Sequence, residues 1–374
     1  MRIIVEQART GVIQSRDLSV SEVTVVRTLS GPSTIEFKVA PDDLMGIDFK
    51  AYGQVVHAEL DRQDGSRWVF ASGLTQPSAV DSDSGLITVT ASGITSYLDK
   101  MPWLDNWNPI AIDPFHVVHR IWNHVQSYAN GNLGVVVTPA DSGTLLLPGF
   151  YFDGSEFVVD FFAYFVRASD YRDCLEEVTS LCRDIPIDFV EKSAWNASRT
   201  LITKTLELAY PRRGVRQDAL AFRIGENVLS AEPTAEQEID WVSDVIVRGW
   251  WPGKMHSSVL SNADSLRFRK VIKDEDVLIN SRERSAVWAR RKLTRRQVPK
   301  HWGSIRLDMY HPSAPWGSYD VGDDILIGGE MPGSGRTQAW HRILTIQPDD
   351  QIGEVMMTTK HVDAFNYDAI DFEG

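Results

Sequence analysis

The sequence predicts a mainly β fold with α+β insertions: two β-barrel domains related by an internal repeat, plus two smaller peripheral domains. Three observations carry this. Residues 1–100 alternate apolar and polar between short turns, the period-two mark of half-buried strands. After Asp99 the patterning switches to helical spacing. Near the C-terminus strand texture returns, and it returns in the order of the first block.

In the first block "RIIVEQ", "SEVTVVRTL", "STIEFKVA", "QVVHAELDR", "RWVFASGLT" and "GLITVTASG" read as strands. "SGPS", "RQDGS" and "DSDSG" between them carry the Gly, Pro and Asp of tight turns. Many short strands at close spacing predict a barrel or sandwich. Next comes the connector "MPWLDNWNPIAIDP" and a helix from "DPFHVVHRIWNHVQSYA". Asp113 is placed to cap it and Pro114 sits at its first position. Phe115, Val118, Ile121, Trp122 and Val125 form its apolar stripe. A second helix, "SDYRDCLEEVTSLCRDI", is expected to start at a Ser/Asp cap and bury Leu175, Val178, Leu181 and Cys182. Short strands "PIDFVEK" and "KTLELAY" follow. Beyond "PRRG" strands resume, and a helix expected to be capped by Ser281 offers Ala286, Val287, Ala289 and Leu293 for packing. The expected domains are 1–100, a first barrel; 101–215, a helix-led α+β domain; 216–252 with 300–374, a second barrel; and 253–299, a small inserted strand-and-helix segment.

The repeat is one of order and spacing. "STIEFKVAP" parallels "GSIRLDMYHP", and "AYGQVVHAEL" parallels "DVGDDILIGG" with Gly53 opposite Gly322. A polar turn follows in each, "RQDGS" or "MPGSG". Then "RWVFASGLTQP" parallels "QAWHRILTIQP", with Pro77 opposite Pro348, and each block closes on an aromatic, Tyr97 or Phe365.

Composition narrows the function. The chain has 374 residues, 43% hydrophobic and 24% charged, with a formal net charge of −13. Holding duplex DNA by counterion release needs clustered Lys and Arg, so this balance argues against a DNA-binding protein. An acidic surface can still surround DNA without retaining it. "GFYFDGSEFVVDFFAYFV" is interrupted by Asp153, Glu156 and Asp160, so no membrane span is expected. The N-terminus shows no secretion signal. Cys174 and Cys182, eight apart on one helix, would lie roughly 12 Å apart, beyond disulfide reach.

No motif carries chemistry, so no catalytic, cofactor-binding or metal residues are assigned and no cofactor is expected. His116, His119 and His124 share a helix without the His-Glu-x-x-His pattern of a zinc site. "GGEMPGSGRT" fails the spacing of a phosphate loop and leads into a strand. "DSDSG", "DDQIGE" and "KDEDV" do not match a calcium loop. A dispersed carboxylate pair of the glycosidase kind stays open. The helix bearing Arg282, Arg284, Arg290, Arg291, Lys292, Arg295 and Arg296 reads as a solvated face, as a contact with an acidic neighbouring subunit or, weakest of the three, as a nucleic-acid contact.

The order of parts, with "DPFHVVHRIWNHVQS", "VSDVIVRGW", "VLINSRERSAVWARRKLTRR" and "YDVGDDILI…HRILTIQPD", resembles phage tail-tip hubs. These are minor tail proteins: the N-terminal hub region of siphophage tail-associated lysins, similar to the central baseplate hub of contractile-tailed phages. The resemblance implies tail-tube-like barrels and a non-enzymatic homotrimer that adapts a sixfold tube to a threefold tip. It implies contacts with distal tail and tail tube proteins, the tape-measure C-terminus and tip or receptor-binding proteins. Genomic DNA would pass through without specific binding, and the place would be the virion tail tip, assembled in the host cytoplasm. A second reading is a tail-associated carbohydrate-binding or glycan-cleaving protein, using "WLDNWNP" and "GWWPG" among the 12 tryptophans to stack on sugars.

Overall fold

The computed structural model describes the chain except residues 82–84, 147–149, 153–156, 160–163, 165, 235–240, 252–253, 263–265, 277–281, 299, 334 and 366–374. The alternating run of the first block folds as β1 (Arg2–Gln7), β2 (Ile13–Leu18), β3 (Ser21–Thr28), β4 (Thr34–Val39), β5 (Gln54–Asp61), β6 (Arg67–Thr75), β7 (Ala79–Val80) and β8 (Ile87–Gly93). The six strands read from sequence are all present. β2, "IQSRDL", is additional: it lacks period-two alternation, and only Ser15 and Leu18 are buried.

The helical segment gives α1 (Pro114–Gln126) and α2 (Cys174–Asp184), separated by β9 (Val135–Val137), β10 (Phe150–Phe152) and β11 (Phe157–Val159), and followed by β12 (Asp188–Trp195) and β13 (Ile202–Ala209). Asp113 caps α1 as expected, accepting from the Phe115 amide at 2.8 Å, and its other oxygen also holds Ser142 N and Oγ at 2.8 Å. The expected stripe of α1 is buried throughout. α2 starts later than expected. Ser169 and Asp170 lie in a separate 3-10 turn, Tyr171 takes φ +47, and Asp173 is the true cap, accepting from Glu176 N at 2.9 Å. Cys174, Val178 and Leu181 face inward, whereas Leu175 and Cys182 are half-buried. β9, β12 and β13 form one sheet over which both helices pack, with Trp103, Trp122 and Phe189 fully buried.

The remaining elements are β14 (Phe222–Arg223), β15 (Val228–Pro233), β16 (Asp244–Trp251), β17 (Lys254–Ser261), β18 (Val271–Asp276), α3 (Arg282–Arg296), β19 (Trp302–Asp308), β20 (Asp324–Met331), β21 (Gly335–Asp349) and β22 (Glu354–His361). β16 does not join the second block, where sequence placed it. It pairs with β17 and β18 in a separate three-stranded sheet covered by α3. Among the described side chains of α3, Ser285, Ala289 and Leu293 are buried, one face at four-residue spacing, while Ala286 is exposed; the Val287 side chain lies outside the described residues. The expected Ser281 cap lies outside the described residues.

The other strands make one 14-stranded sheet in the order β15-β19-β22-β21-β3-β4-β8-β6-β5-β1-β2, with β20 beside β21, β14 beside β20 and β7 beside β8. Two closed barrels were expected, but these ladders draw a continuous sheet, and no ladder joins β2 to β3 among the described residues. The edge of β3 that closure onto β2 would use is taken at Arg27 and Thr28 by Ile346 and Thr345 of β21. Six strands nonetheless recur in one lateral order: β3-β4-β8-β6-β5-β1 in the first half and β15-β19-β22-β21-β20-β14 in the second. The outermost pair differs in sense, since β1 runs antiparallel to β5 and β14 parallel to β20. One apolar core runs through both halves, and Trp316 of the second packs 5.6 Å from Phe70 of the first.

Candidate functional site

Among the described residues, the sequence constellations do not come together at one place. His116 is exposed and pairs with Asp141 at 2.9 Å. His119 Nε2 meets the Thr138 carbonyl at 3.0 Å, and His124 stacks on Trp103 while bonding Tyr128 and the Leu104 amide. The three rings have three different partners, so α1 assembles no metal site. "MPGSG" is the β20–β21 hairpin turn, with Met331 opposite Gly335. In "DDQIGE" Asp349 accepts the amides of Gln351 and Ile352, an ordinary turn-capping role. Asp274 of "KDEDV" pairs with Lys292 of α3. Ser82 to Ser84 of "DSDSG" lie outside the described residues. Neither cysteine is in a disulfide, and burial pushes the Cys174 thiol up to about 12, which leaves it inert at neutral pH.

In the aromatic connector Trp103 is buried and Trp107 half-buried. Trp103 has no exposed surface, donates its indole N–H to Asp105 O at 2.7 Å and stacks on Trp107 at 6.0 Å. Neither ring of "WLDNWNP" is laid out for a sugar. The side chains of Trp250 and Trp251 lie outside the described residues.

Sequence gave no warning of a Ser–His–Glu chain. Ser72 Oγ lies 2.6 Å from His57 Nδ1, His57 Nε2 lies 3.3 Å from Glu6 Oε2, and Lys204 Nζ lies 2.6 Å from Glu6 Oε1. The order matches an acyl-transfer triad. Burial decides against that chemistry: Glu6 and His57 are fully buried, and Ser72 and Lys204 nearly so. No substrate carbonyl reaches Ser72. Burial pushes the Glu6 carboxyl up, but the hydrogen bonds and charges of His57 and Lys204 outweigh it and hold it below its usual range. Burial drives the His57 pKa down. This group links β1, β5 and β6 to β13 through charge-assisted hydrogen bonds.

The densest polar assembly lies where the two halves and the helical segment meet. Arg27 of β3, 2% exposed, donates to Asp320 Oδ1 at 3.0 Å, and Arg213 donates to Asp320 Oδ2 at 2.8 Å. The Arg213 amide bonds Asp188 at 2.8 Å, Arg342 of β21 pairs with the same Asp188 oxygen, and Arg212 pairs with Asp324. Asp323 accepts from Val215 N at 2.9 Å and Gln217 Nε2 at 2.7 Å. Burial raises the Asp320 carboxyl, but Arg27 and Arg213 hold it below the usual range. Arg27 also lies 4.8 Å over Phe70, so both halves grip one guanidinium. "PRRG", read only as a basic turn, is thus the key of this joint. The missed signal was two arginines in a segment followed by the carboxylates of "YDVGDD".

Such an arrangement fixes geometry. Breaking any pair leaves a buried charge, at about 3–5 kcal/mol. Among the described residues no cluster of His, Cys, Asp and Glu could hold a metal, and no helix is long and apolar enough to cross a membrane.

No sequence-family model matches the chain, and no curated protein matches it by sequence. Solved structures do resemble it. The 43 kDa tail protein of prophage MuSo2 from Shewanella oneidensis is similar with a TM-score of 0.58 at 13% identity, covering 97% of this chain and 99% of that one. The tail protein from Neisseria meningitidis MC58 is similar with a TM-score of 0.56 at 11% identity, covering 99% of each chain. The likeness runs over essentially the whole length, and the fold of this chain is that of these tail proteins, one of them from a prophage.

Proposed function

We propose that the chain is a structural component of a phage tail: a trimeric hub at the tail tip, adapting a sixfold tube to a threefold end around the DNA path. One observation supports this above the rest. Within a tail-protein fold, two strand sets of the same lateral order stand side by side in one sheet. Three such chains would offer six similar blocks, so one interface chemistry would serve a hexameric neighbour. The partners by this reading are tail tube and distal tail proteins, the tape-measure C-terminus and tip proteins. The buried ionic joint supports the same role, because a ring adaptor must hold its two blocks at a fixed angle. The structural domains by this reading are the two tube-like blocks, the helical side domain and the small sheet-plus-α3 lobe.

The test is direct. Particle images of the purified chain should show a threefold ring, and tails should contain the chain at one site each. A strict monomer at high concentration, absent from tails, would sink the proposal. Among the described residues, the burial of Trp103 speaks against the glycan reading.

A further inference from the structure

The small sheet of β16, β17 and β18 with α3 forms a basic lobe, whose residues 241–298 carry 13 Lys and Arg against 6 Asp and Glu. Its two connections to the second block meet at one corner. The outgoing chain passes Thr234 just after β15, and the returning chain passes His301 just before β19. Thr234 N donates to His301 O at 2.9 Å, and Thr234 Oγ1 lies 3.5 Å from His301 Nδ1. The seam is tight, since a Cβ added at Gly303 would stand 2.4 Å from Thr234 Cγ2. α3 also lies beside the closing 3-10 turn, Val362–Ala364, which follows His361.

Three histidines fill this corner. His301, His341 of β21 and His361 of β22 are buried, with ring centres 5.8 to 6.1 Å apart. The hydrogen bonds need two of them neutral. His341 Nε2 accepts from the Trp302 amide at 3.1 Å, and His361 Nδ1 accepts from the Asp363 amide at 3.2 Å. An imidazolium has no lone pair with which to accept. His341 Nδ1 is taken as well, by Ala339 O at 2.9 Å, so this ring has no nitrogen left for a metal.

Little around the triangle would offset added protons. The closing turn brings Asp363, exposed and 3.5 Å from His361 Nδ1. β15 brings Thr234 and, two residues earlier, the exposed Glu232. Arg342 and Lys360, the ladder pair next to His341 and His361, face the other side of the sheet. Lys300 is turned to Pro332 O at 3.2 Å, and α3 ends in Arg295 and Arg296. Burial, with the charges of His301 and His361 adding to it, holds His341 down to about 3, and burial lowers His361 against the pull of Asp363. The closed corner is therefore favoured above the ordinary histidine value of about 6.5 and loses ground as pH falls below it.

We propose that this corner is an acid-released latch: neutral histidines hold both connections of the basic lobe to the second block, and proton uptake opens the seam so that the lobe moves as a body. The latch is a property of the single chain and stands whether or not the hub reading does.

Amide exchange of the purified full chain, read peptide by peptide and corrected for the intrinsic effect of pH, tests it. Peptides containing Thr234, Trp302 and Asp363 should lose protection by about eightfold or more between pH 7 and 5.5, the effect of His341 alone when the open seam restores its ordinary value. The chain stays negatively charged over this range, because its isoelectric point is near 5.2. Peptides of β5 and β6, and those within β16, β17, β18 and α3, should keep their protection, since the seam opens without melting either body. His341→Asn with His361→Asn should remove most of the loss at the seam. No loss at the seam, an even loss across both blocks and the lobe, or a loss of full size in the double variant each overturns the latch. If the double variant does not fold, the wild-type contrast between seam and first-block peptides decides by itself.

Discussion

The two halves meet the same architectural problem at one corner and solve it with opposite chemistry. In the first half the last ladder pair before the closing 3-10 turn is Gly73 opposite Gly93; in the second it is His341 opposite His361. The glycine corner leaves room for Glu191 of β12 to enter. Its Oε1 accepts from Thr95 N at 2.7 Å and Thr95 Oγ1 at 2.5 Å, and its Oε2 accepts from Ser33 N at 3.1 Å. The histidine corner fills itself. His301, His341 and His361 form a triangle with ring centres 5.8 to 6.1 Å apart. His341 Nε2 accepts from the Trp302 amide at 3.1 Å while its Nδ1 donates to Ala339 O at 2.9 Å. Strand order is thus shared while the corner filling differs, which lets one half carry the helical side domain and the other the point where the basic lobe rejoins the block.

The largest expected effect tests whether Glu191 is a true joint. Glu191→Ala leaves the Thr95 and Ser33 amides buried and unbonded, and should lower unfolding free energy by about 4 kcal/mol in denaturant titration. A loss under about 1 kcal/mol would mean that the carboxylate only occupies space. Gly93→Ala comes next. An added Cβ would stand 2.1 Å from Glu191 Oε2 and 2.4 Å from Ser33 N. We expect a loss of about 3 kcal/mol, strongly non-additive with Glu191→Ala because both changes act on one contact. Additive losses would separate the glycine from the carboxylate.

Acid should move the two corners in opposite directions. Burial pushes His341 down to about 3, and the neighbouring charges of His301 and His361 add to this; burial lowers His361 too, against the pull of Asp363. A neutral buried histidine contributes stability that is present above its unfolded pKa and lost as pH falls from about 6.5 toward the folded value. Burial raises Glu191 above 4.5, outweighing its Thr95 and Ser33 hydrogen bonds, so its contribution is fully present below 4.5 and lost as pH rises through the folded value. Between pH 7 and 5 the contribution of the histidine corner should fall by about 2 kcal/mol, and Glu191→Gln would remove the opposing response of the other corner. His341→Asn can keep the Ala339 hydrogen bond without the proton uptake, and should flatten that dependence. Equal slopes in wild type and variant would place the acid response elsewhere.

Strand positions, the α1 cap and the lateral kinship of the halves were legible because they rest on local rules: alternation, capping chemistry and turn residues. What failed was register and partnership. "LTQP" and "LTIQP" suggested that Leu74 matches Leu344. The ladders instead equate Gly73 with His341, which puts Leu74 opposite Arg342, two residues away. A two-residue slip keeps every side chain on its face, so the hydrophobic pattern cannot reveal it. The joint of Arg27, Arg213, Asp188, Asp320 and Arg342 spans over three hundred residues of chain. No local pattern encodes such pairing. β16 was misplaced for the same reason, since its apolar run suits either sheet.

The smallest expected effect concerns the turn before β5 and β20, and it probes the register directly. Sequence set Gly53 opposite Gly322, and the ladders agree, since Gly73 faces Val56 and His341 faces Ile325. The turn hydrogen bonds alone pair Tyr52 with Gly322, Tyr52 N donating to Thr75 O and Gly322 N to Ile343 O, each at 2.8 Å. Both residues are left-handed, φ +61 for Tyr52 and +92 for Gly322. A side chain other than glycine is strained there, and at Gly322 an added Cβ would also lie 3.0 Å from Arg213 O in the ionic joint. Gly322→Ala should therefore destabilise by about 1–2 kcal/mol. Tyr52→Gly removes strain from a half-exposed ring and should change stability by less than about 1 kcal/mol, toward stabilisation. Gly53→Ala, at a residue without positive φ, is the discriminating third variant. If it destabilises as Gly322→Ala does, and Tyr52→Gly also destabilises, the glycine alignment is right and the hydrogen-bonded equivalence fails. If Gly53→Ala is milder, the left-handed site moved one residue between the halves, and tyrosine bears in one the strain that glycine avoids in the other.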